Sequence, residues 1–341
     1  GPDSAGADPG PASYGRGGTI PAVTDTDVVL GLLDPAAFLG GDMPLDASLA
    51  EAATATVADG LGLDVIDTAA GVHEVVNQNM AAAASMHGVE MGVDLRGIPL
   101  IAFGGAGPVH ACGVAELLES DQVIFPVNAS VLSAFGTLVS PVRIDLARSM
   151  PRLLASIDVG ERDALLDELR SEGRRVLQAA GVPDDAIIFR YGVDARYAGQ
   201  GNEITIWVGE GDAWPATADD VATAFASEYR RIYGMAIPDV AIEGITWRLS
   251  AFATTSIVEP DQSIEPASGE PIPKGTRPMV FGRGMAAIEA PVYDRATLGA
   301  GAAFDGPAVV EERETTSVIR PGWSVVVAPD GSLLATRKGQ S

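Results

Sequence analysis

Apolar positions follow two periods along this chain, and the clearest change of period lies between residues 100 and 127. Leu100 to Phe103 is an apolar run of strand length that stops at Gly104. Gly104, Gly105 and Gly107 permit a tight turn, helix-like spacing runs from Val109 to Leu118, and Gln122 to Val127 is a second apolar run. Two strands joined by one helix are expected to lie parallel with a right-handed crossover. Glycines at the end of such a strand let a ligand approach the backbone, and amides that open a helix favour anionic groups. The same pattern also makes a good structural turn.

Before this unit the pattern is helical. Asp25 is placed to cap a short helix that ends near Leu32, and Ser48 and Glu51 have capping-box spacing ahead of a helix with Leu49, Ala53 and Val57 inward. Asp67 is placed to cap a longer helix, with Val72, Val75, Val76 and Met80 on its inner face. His73 on that helix reads as a satisfied or solvated side chain. Val131 to Val142 fits helix or strand equally well.

The composition changes after Arg148. Glu161 to Ala180 is a charged amphipathic helix, and Ala186 to Ala198 and Asn202 to Val208 alternate as strands around Gly199-Gln200-Gly201. A helix from Thr217 to Tyr233 and a strand from Ile242 to Ala253 follow. Residues 259–277, rich in proline and acid, read as a linker, and short apolar runs from Pro278 to Leu334 read as a small antiparallel β unit. The elements predict an α/β fold with a boundary between 148 and 149.

Charge narrows the partners. Acidic residues outnumber basic ones 46 to 22, the net charge is −24, and Lys274 and Lys338 are the only lysines. Nucleic acid and anionic membrane surfaces are excluded as expected partners, because each phosphate contact needs a cation. No apolar run approaches the ~20 residues that span a bilayer, and a cytoplasmic location is expected. The single cysteine, Cys112, excludes an internal disulfide and falls on the buried side of its helix. Among three histidines, His110 stands apart, since it follows the glycine loop directly and could act as acid or base near neutrality or simply pack there. The first eighteen residues carry six glycines with Pro2, Pro9 and Pro11, and Asp8, Tyr14 and Arg16 give this loop polar chemistry.

These stretches together resemble the hydantoinase A and 5-oxoprolinase family. The likeness lies in Gly1 to Gly18, the Val23-Thr24-Asp25 turn, Phe38-Leu39-Gly40-Gly41, Ala102 to Ala111, Arg196 to Gly201 and Gly306 to Thr316. It implies half of an actin-like, sugar-kinase-like ATPase core over residues 1–148, then an α+β C-terminal domain over 149–341 with a β-rich end. The aspartate-glycine-glycine-threonine phosphate hairpins of the family are not in this sequence, so the resemblance is to the C-terminal half of a subunit. Ser13 stands where the family loop typically has cysteine. The activity implied is ATP-dependent opening of cyclic amides, with ATP and Mg2+ as cofactors and a hydantoinase B type subunit as partner. ATP-dependent carboxylation of ketones such as acetone is the alternative, and a non-catalytic assembly module is a third. The site implied comprises Gly104, Gly105, Ala106, Gly107 and Pro108 at the nucleotide, with His110, Asp8 and Asp25 as catalytic candidates. No metal ligand is assigned.

Overall fold

The computed structural model describes residues 4–214, 216–254 and 263–339. Contacts divide the chain into two compact units, Gly1–Phe135 with Asp261–Ser341, and Gly136–Pro260. Along the first stretch lie α1 (Val23–Val29), α2 (Ala47–Leu61), α3 (Val65–Glu90), β1 (Leu100–Ile101), α4 (Gly107–Leu117), β2 (Gln122–Phe125) and α5 (Leu132–Val139). Strand β1 pairs parallel with β2, with Leu100 opposite Val123, so the strand, loop and helix unit forms as its pattern predicts. The ambiguous stretch after it is helical at α5.

The second unit is built from β3 (Arg143–Leu153), α6 (Val159–Ala179), β4 (Ile187–Tyr197), β5 (Ile204–Glu210), α7 (Ala218–Tyr233) and β6 (Ile242–Ala253). Its sheet has the order β3-β6-β4-β5 and is antiparallel throughout. Leu166, Leu169 and Leu177 of α6 and Val221 and Phe225 of α7 bury against Phe189, Tyr191, Val193, Trp247 and Leu249. Thr217 and Asp220 close a reciprocal box at the start of α7: the Asp220 amide donates to Thr217 Oγ1 at 3.2 Å, and the Thr217 amide donates to Asp220 Oδ2 at 2.8 Å.

The chain then returns to the first unit through β7 (Gly275–Met279), β8 (Ile288–Asp294), β9 (Ala303–Asp305), β10 (Ala308–Glu311), β11 (Thr316–Ile319), β12 (Trp323–Val327) and β13 (Leu333–Arg337). These strands do not make a separate antiparallel unit. Strand β13 pairs with β2, which gives a five-stranded mixed sheet of order β1-β2-β13-β12-β9, and β8 runs parallel to β10 in a second sheet of order β11-β10-β8-β7. The reason is burial: Phe125, Trp323, Val325 and Leu333 share one core with Ala111 and Cys112 of α4, and β2 would otherwise leave an open edge. Part of the expected linker, residues 259–262, lies outside the described residues, as does Gly1 to Asp3 of the opening loop. From Ile264, whose amide donates to the Pro329 carbonyl at 3.0 Å, the rest of that linker lies on the first unit. No described helix is long and apolar enough to cross a membrane.

The helices differ from their sequence pattern in caps and faces. Asp46 caps α2 by accepting the Ser48 and Leu49 amides, and Asp64 caps α3 by accepting the Asp67 amide at 2.8 Å. Leu49 is exposed, and α2 buries Ala50, Ala53, Thr54 and Ala58. On α3 the expected face is reversed in part: Val75 and Met80 are 54% and 40% exposed, while Thr68, Ala69, Ala70, His73, Asn77 and Ala81 are buried. Small and polar residues face inward because α4 packs there, with Ala81 against Val114 and Leu118.

Close helix-on-sheet packing in the second unit is testable at Gly173 of α6, where an added Cβ would come to 2.9 Å from the Ala251 Cβ. Gly173→Val is expected to lower the stability of this unit by about 1–3 kcal/mol, read as a shift in its urea midpoint.

Candidate functional site

The glycine loop leaves β1 at its carboxyl end and opens α4. Gly104 has φ +91°, which favours glycine there, and its amide donates to the Ala129 carbonyl at 2.8 Å. Thr315, in the turn between β10 and β11, donates its hydroxyl to the Gly105 carbonyl at 2.9 Å. The loop is therefore fixed from behind, while Gly105 and Ala106 are exposed. A Cβ at Gly104 or Gly107 would meet nothing within 4 Å, and at Gly105 it would meet only the Glu314 carbonyl at 3.5 Å. The front of the loop is open space that backbone can present to a ligand. Pro108 is buried in the first turn of α4, where its missing amide costs no intrahelical bond.

His110, one turn into α4, is 4% exposed. Its Nδ1 lies 3.0 Å from the Asn77 amide oxygen of α3, and its Nε2 lies 3.7 Å from Asp27 Oδ2 of α1. His73 stacks on it with ring centroids 4.5 Å apart, and His73 Nδ1 is 2.8 Å from Asp27 Oδ1. Burial pushes the His110 pKa down against the opposing pull of Asp27, and the neighbouring His73 adds to the depression. The ring is thus held neutral inside the molecule. His73, Asn77 and Asp27 were not distinguishable by sequence pattern as a polar cluster; the available signal was a pair of polar residues four apart on α3, flanked by valines that invited the opposite face.

Asp25 and Asp8 are placed quite differently. Asp25 is 0% exposed and its carboxylate accepts the amides of Ala12, Ser13 and Ala22 at 3.1, 2.8 and 2.8 Å. It lies inside α1, which Ala22 precedes as N-cap, and it ties the opening loop to that helix. Asp8 is exposed on the same loop, where Arg16 donates to the Ala7 carbonyl at 3.1 Å. Asp8 and the front of Gly105 are thus open to solvent, whereas His110 and Asp25 are interior.

A family model described as hydantoinase/oxoprolinase matches residues 1–146, and one described as the hydantoinase/oxoprolinase C-terminal domain matches residues 160–332. The chain belongs to the hydantoinase/oxoprolinase family. It is 31% identical over 337 residues to the caprolactamase subunit alpha of Pseudomonas jessenii, covering 97% of this chain and 48% of that protein. The crystal structure of ATP-dependent caprolactamase from the same organism matches with a TM-score of 0.81 at 31% identity, over 99% of this chain and 50% of that one. A nucleotide-free acetone carboxylase structure, from work on ATP-dependent acetone carboxylation, matches with a TM-score of 0.78 at 27% identity, over 99% and 49%. The chain spans about half the length of these relatives.

Two outcomes test the roles given to buried side chains. Removing the Asp25 carboxylate strands the buried Ala12 and Ser13 amides, which have no other acceptor among the described residues, so Asp25→Ala is expected to cost about 3 kcal/mol in denaturant unfolding. Cys112 is fully buried and burial pushes its thiol up to about 12. It is expected to resist iodoacetamide at pH 8 in the folded protein and to react once urea unfolds the chain, as read by mass spectrometry.

Proposed function

We propose that this chain is part of a subunit of an ATP-dependent hydrolase that opens cyclic amides, with Gly104 to Pro108 as its nucleotide-facing element. The observation that carries the reading is the loop held from behind by Thr315 and open in front, at the carboxyl end of a parallel strand and the start of a helix. In a family described as hydantoinase/oxoprolinase, that is the element suited to an anionic ligand. The fold we propose for the nucleotide-binding part is half of an actin-like ATPase core, within a sequence-defined division at 148/149.

ATP, with Mg2+ to neutralise its phosphates, supplies a phosphoryl group that activates the amide carbonyl oxygen. Within this chain Gly105 and Ala106 offer backbone to the nucleotide, and Gly107 and Pro108 set the direction of α4. Asp8 is the exposed carboxylate that can reach polar ligand or water. His110 and Asp25 act by position: His110 fixes the first turn of α4 against α3, and Asp25 fixes the loop that carries Asp8. Water, delivered directly or by a group from a hydantoinase B type partner, would then add to the activated carbon, the ring carbon–nitrogen bond would break with a proton taken up by nitrogen, and the phosphoryl group would leave as inorganic phosphate. A cytoplasmic setting suits this chemistry.

The likeness to acetone carboxylase favours a second reading, in which the activated oxygen belongs to a ketone and the product is a carboxylate. Phosphate release from the complete subunit with its partner separates the two: stimulation by lactams or hydantoins supports the hydrolase, and stimulation only by ketone with bicarbonate supports the carboxylase. In the same assembly Gly105→Val is expected to weaken ATP binding by about tenfold or more, because the added branches fill the open front of the loop. Unchanged ATP affinity in a folded variant would remove the loop from the site.

A further inference from the structure

Asp27, His73 and His110 come from three different helices and present one ligand atom each, all within 4.8 Å of one another in the interior of the first unit. We propose that these three side chains bind a single first-row divalent ion, zinc by preference, that pins α1, α3 and α4 together beneath the glycine loop.

The argument rests on where the lone pairs point. The Asn77 amide oxygen, 3.0 Å from His110 Nδ1, makes Nδ1 the protonated nitrogen of a neutral ring. The lone pair is then on Nε2, which faces Asp27 Oδ2 at 3.7 Å, too far for a hydrogen bond and with an acceptor on both sides. Two acceptors facing each other across a buried gap call for a cation between them. The other Asp27 oxygen faces His73 Nδ1 at 2.8 Å, so each carboxylate oxygen is matched with one imidazole nitrogen. Among the described residues, the ion pairs of Asp27 are with these two histidines, and no arginine or lysine neutralises it. Asp27 is 2% exposed, and a buried carboxylate without a cation is costly.

Nitrogen, nitrogen and carboxylate oxygen are a donor set that suits zinc. Bonds of ~2.0–2.1 Å place tetrahedral ligand atoms about 3.3 Å apart, so small side-chain shifts close this set on an ion. Entry of the ion takes the His73 Nδ1 lone pair in place of the hydrogen bond to Asp27 Oδ1, so the single ring proton of His73 moves from Nδ1 to Nε2 and none is released. The Asn77 bond to His110 Nδ1 is the outer-shell contact that orients a metal-bound histidine.

The test uses the chain as it stands, purified without chelator or metal-affinity resin, with zinc counted by inductively coupled plasma mass spectrometry. One tightly held zinc per chain is expected, lost in His110→Gln and Asp27→Asn, with affinity about 10–100-fold weaker in Asn77→Leu. Should those variants fail to fold, the unmodified chain still decides: after removal of metal, Co2+ should give tetrahedral visible absorption bands that Zn2+ abolishes, and Zn2+ should raise Tm. A folded chain that holds no zinc as purified, gives no cobalt bands and shows no Tm change with Zn2+ overturns the proposal and leaves the cluster as a hydrogen-bond network.

Discussion

Two carboxylates on one short helix constrain much of the first unit. Asp25 and Asp27 of α1 are 0% and 2% exposed in a chain of net charge −24, where acidic side chains have every reason to stay on the surface. A buried carboxylate is stable only if its lone pairs are satisfied, and the two residues recruit different partners to do so. Asp25 gathers backbone amides of the opening loop, which fixes the single 3-10 turn of Ala12–Tyr14 in place. Asp27 gathers the imidazoles of α3 and α4, which fixes the helix that follows the glycine loop. A seven-residue helix thereby sets the position of a loop before it and two helices after it.

The second constraint is closure of the sheet beneath the glycine loop. Strand β1 is only two residues long, and a strand so short gains little from its own ladder. Its support comes from β2, and β2 in turn pairs with β13, some two hundred residues later in the chain. The same late segment supplies Thr315, whose hydroxyl holds the Gly105 carbonyl, and Arg313, whose guanidinium reaches Asp42 at 2.9 Å. Loop geometry in the first third of the sequence thus depends on residues near its end. This is why the segments 102–111 and 306–316, far apart in sequence, belong to one structural device.

What was legible in the sequence followed local physics. The strand, glycine loop and helix, the hairpin around Gly199 to Gly201 and the Thr217 start of α7 are each specified within about twenty residues by turn chemistry and period. The inner face of α3 was not legible, because periodicity reports where apolar residues recur and not what packs against them. Val75 and Met80 lie on the exposed side, while His73 and Asn77 turn inward to partners on α1 and α4 that are 46 and 33 residues away. The caps shifted for a related reason: Asp46 and Asp64 each precede the residue chosen from spacing, and an aspartate just outside a helix accepts its first amides better than one already inside. The C-terminal strands were legible as strands but not in their pairing, which only the shared core around Phe125 and Trp323 decides.

Acidity would also limit how the proposed loop meets a nucleotide. Lys274 and Lys338 are its only lysines, and both are engaged with carboxylates, Glu311 at 2.7 Å and Asp305 at 2.8 Å. A triphosphate approaching such a surface is repelled at long range, and screening shortens that repulsion to about 8 Å at physiological ionic strength. At the loop proposed above to face the nucleotide, the exposed backbone at Gly105 and Ala106 and the start of α4 would add dipoles held in fixed directions to whatever the chain's arginines contribute. Such dipoles act only if they cannot reorient, so the rigidity imposed from behind by Thr315, and from the side by His110 and Asn77, is itself part of the electrostatics of the loop.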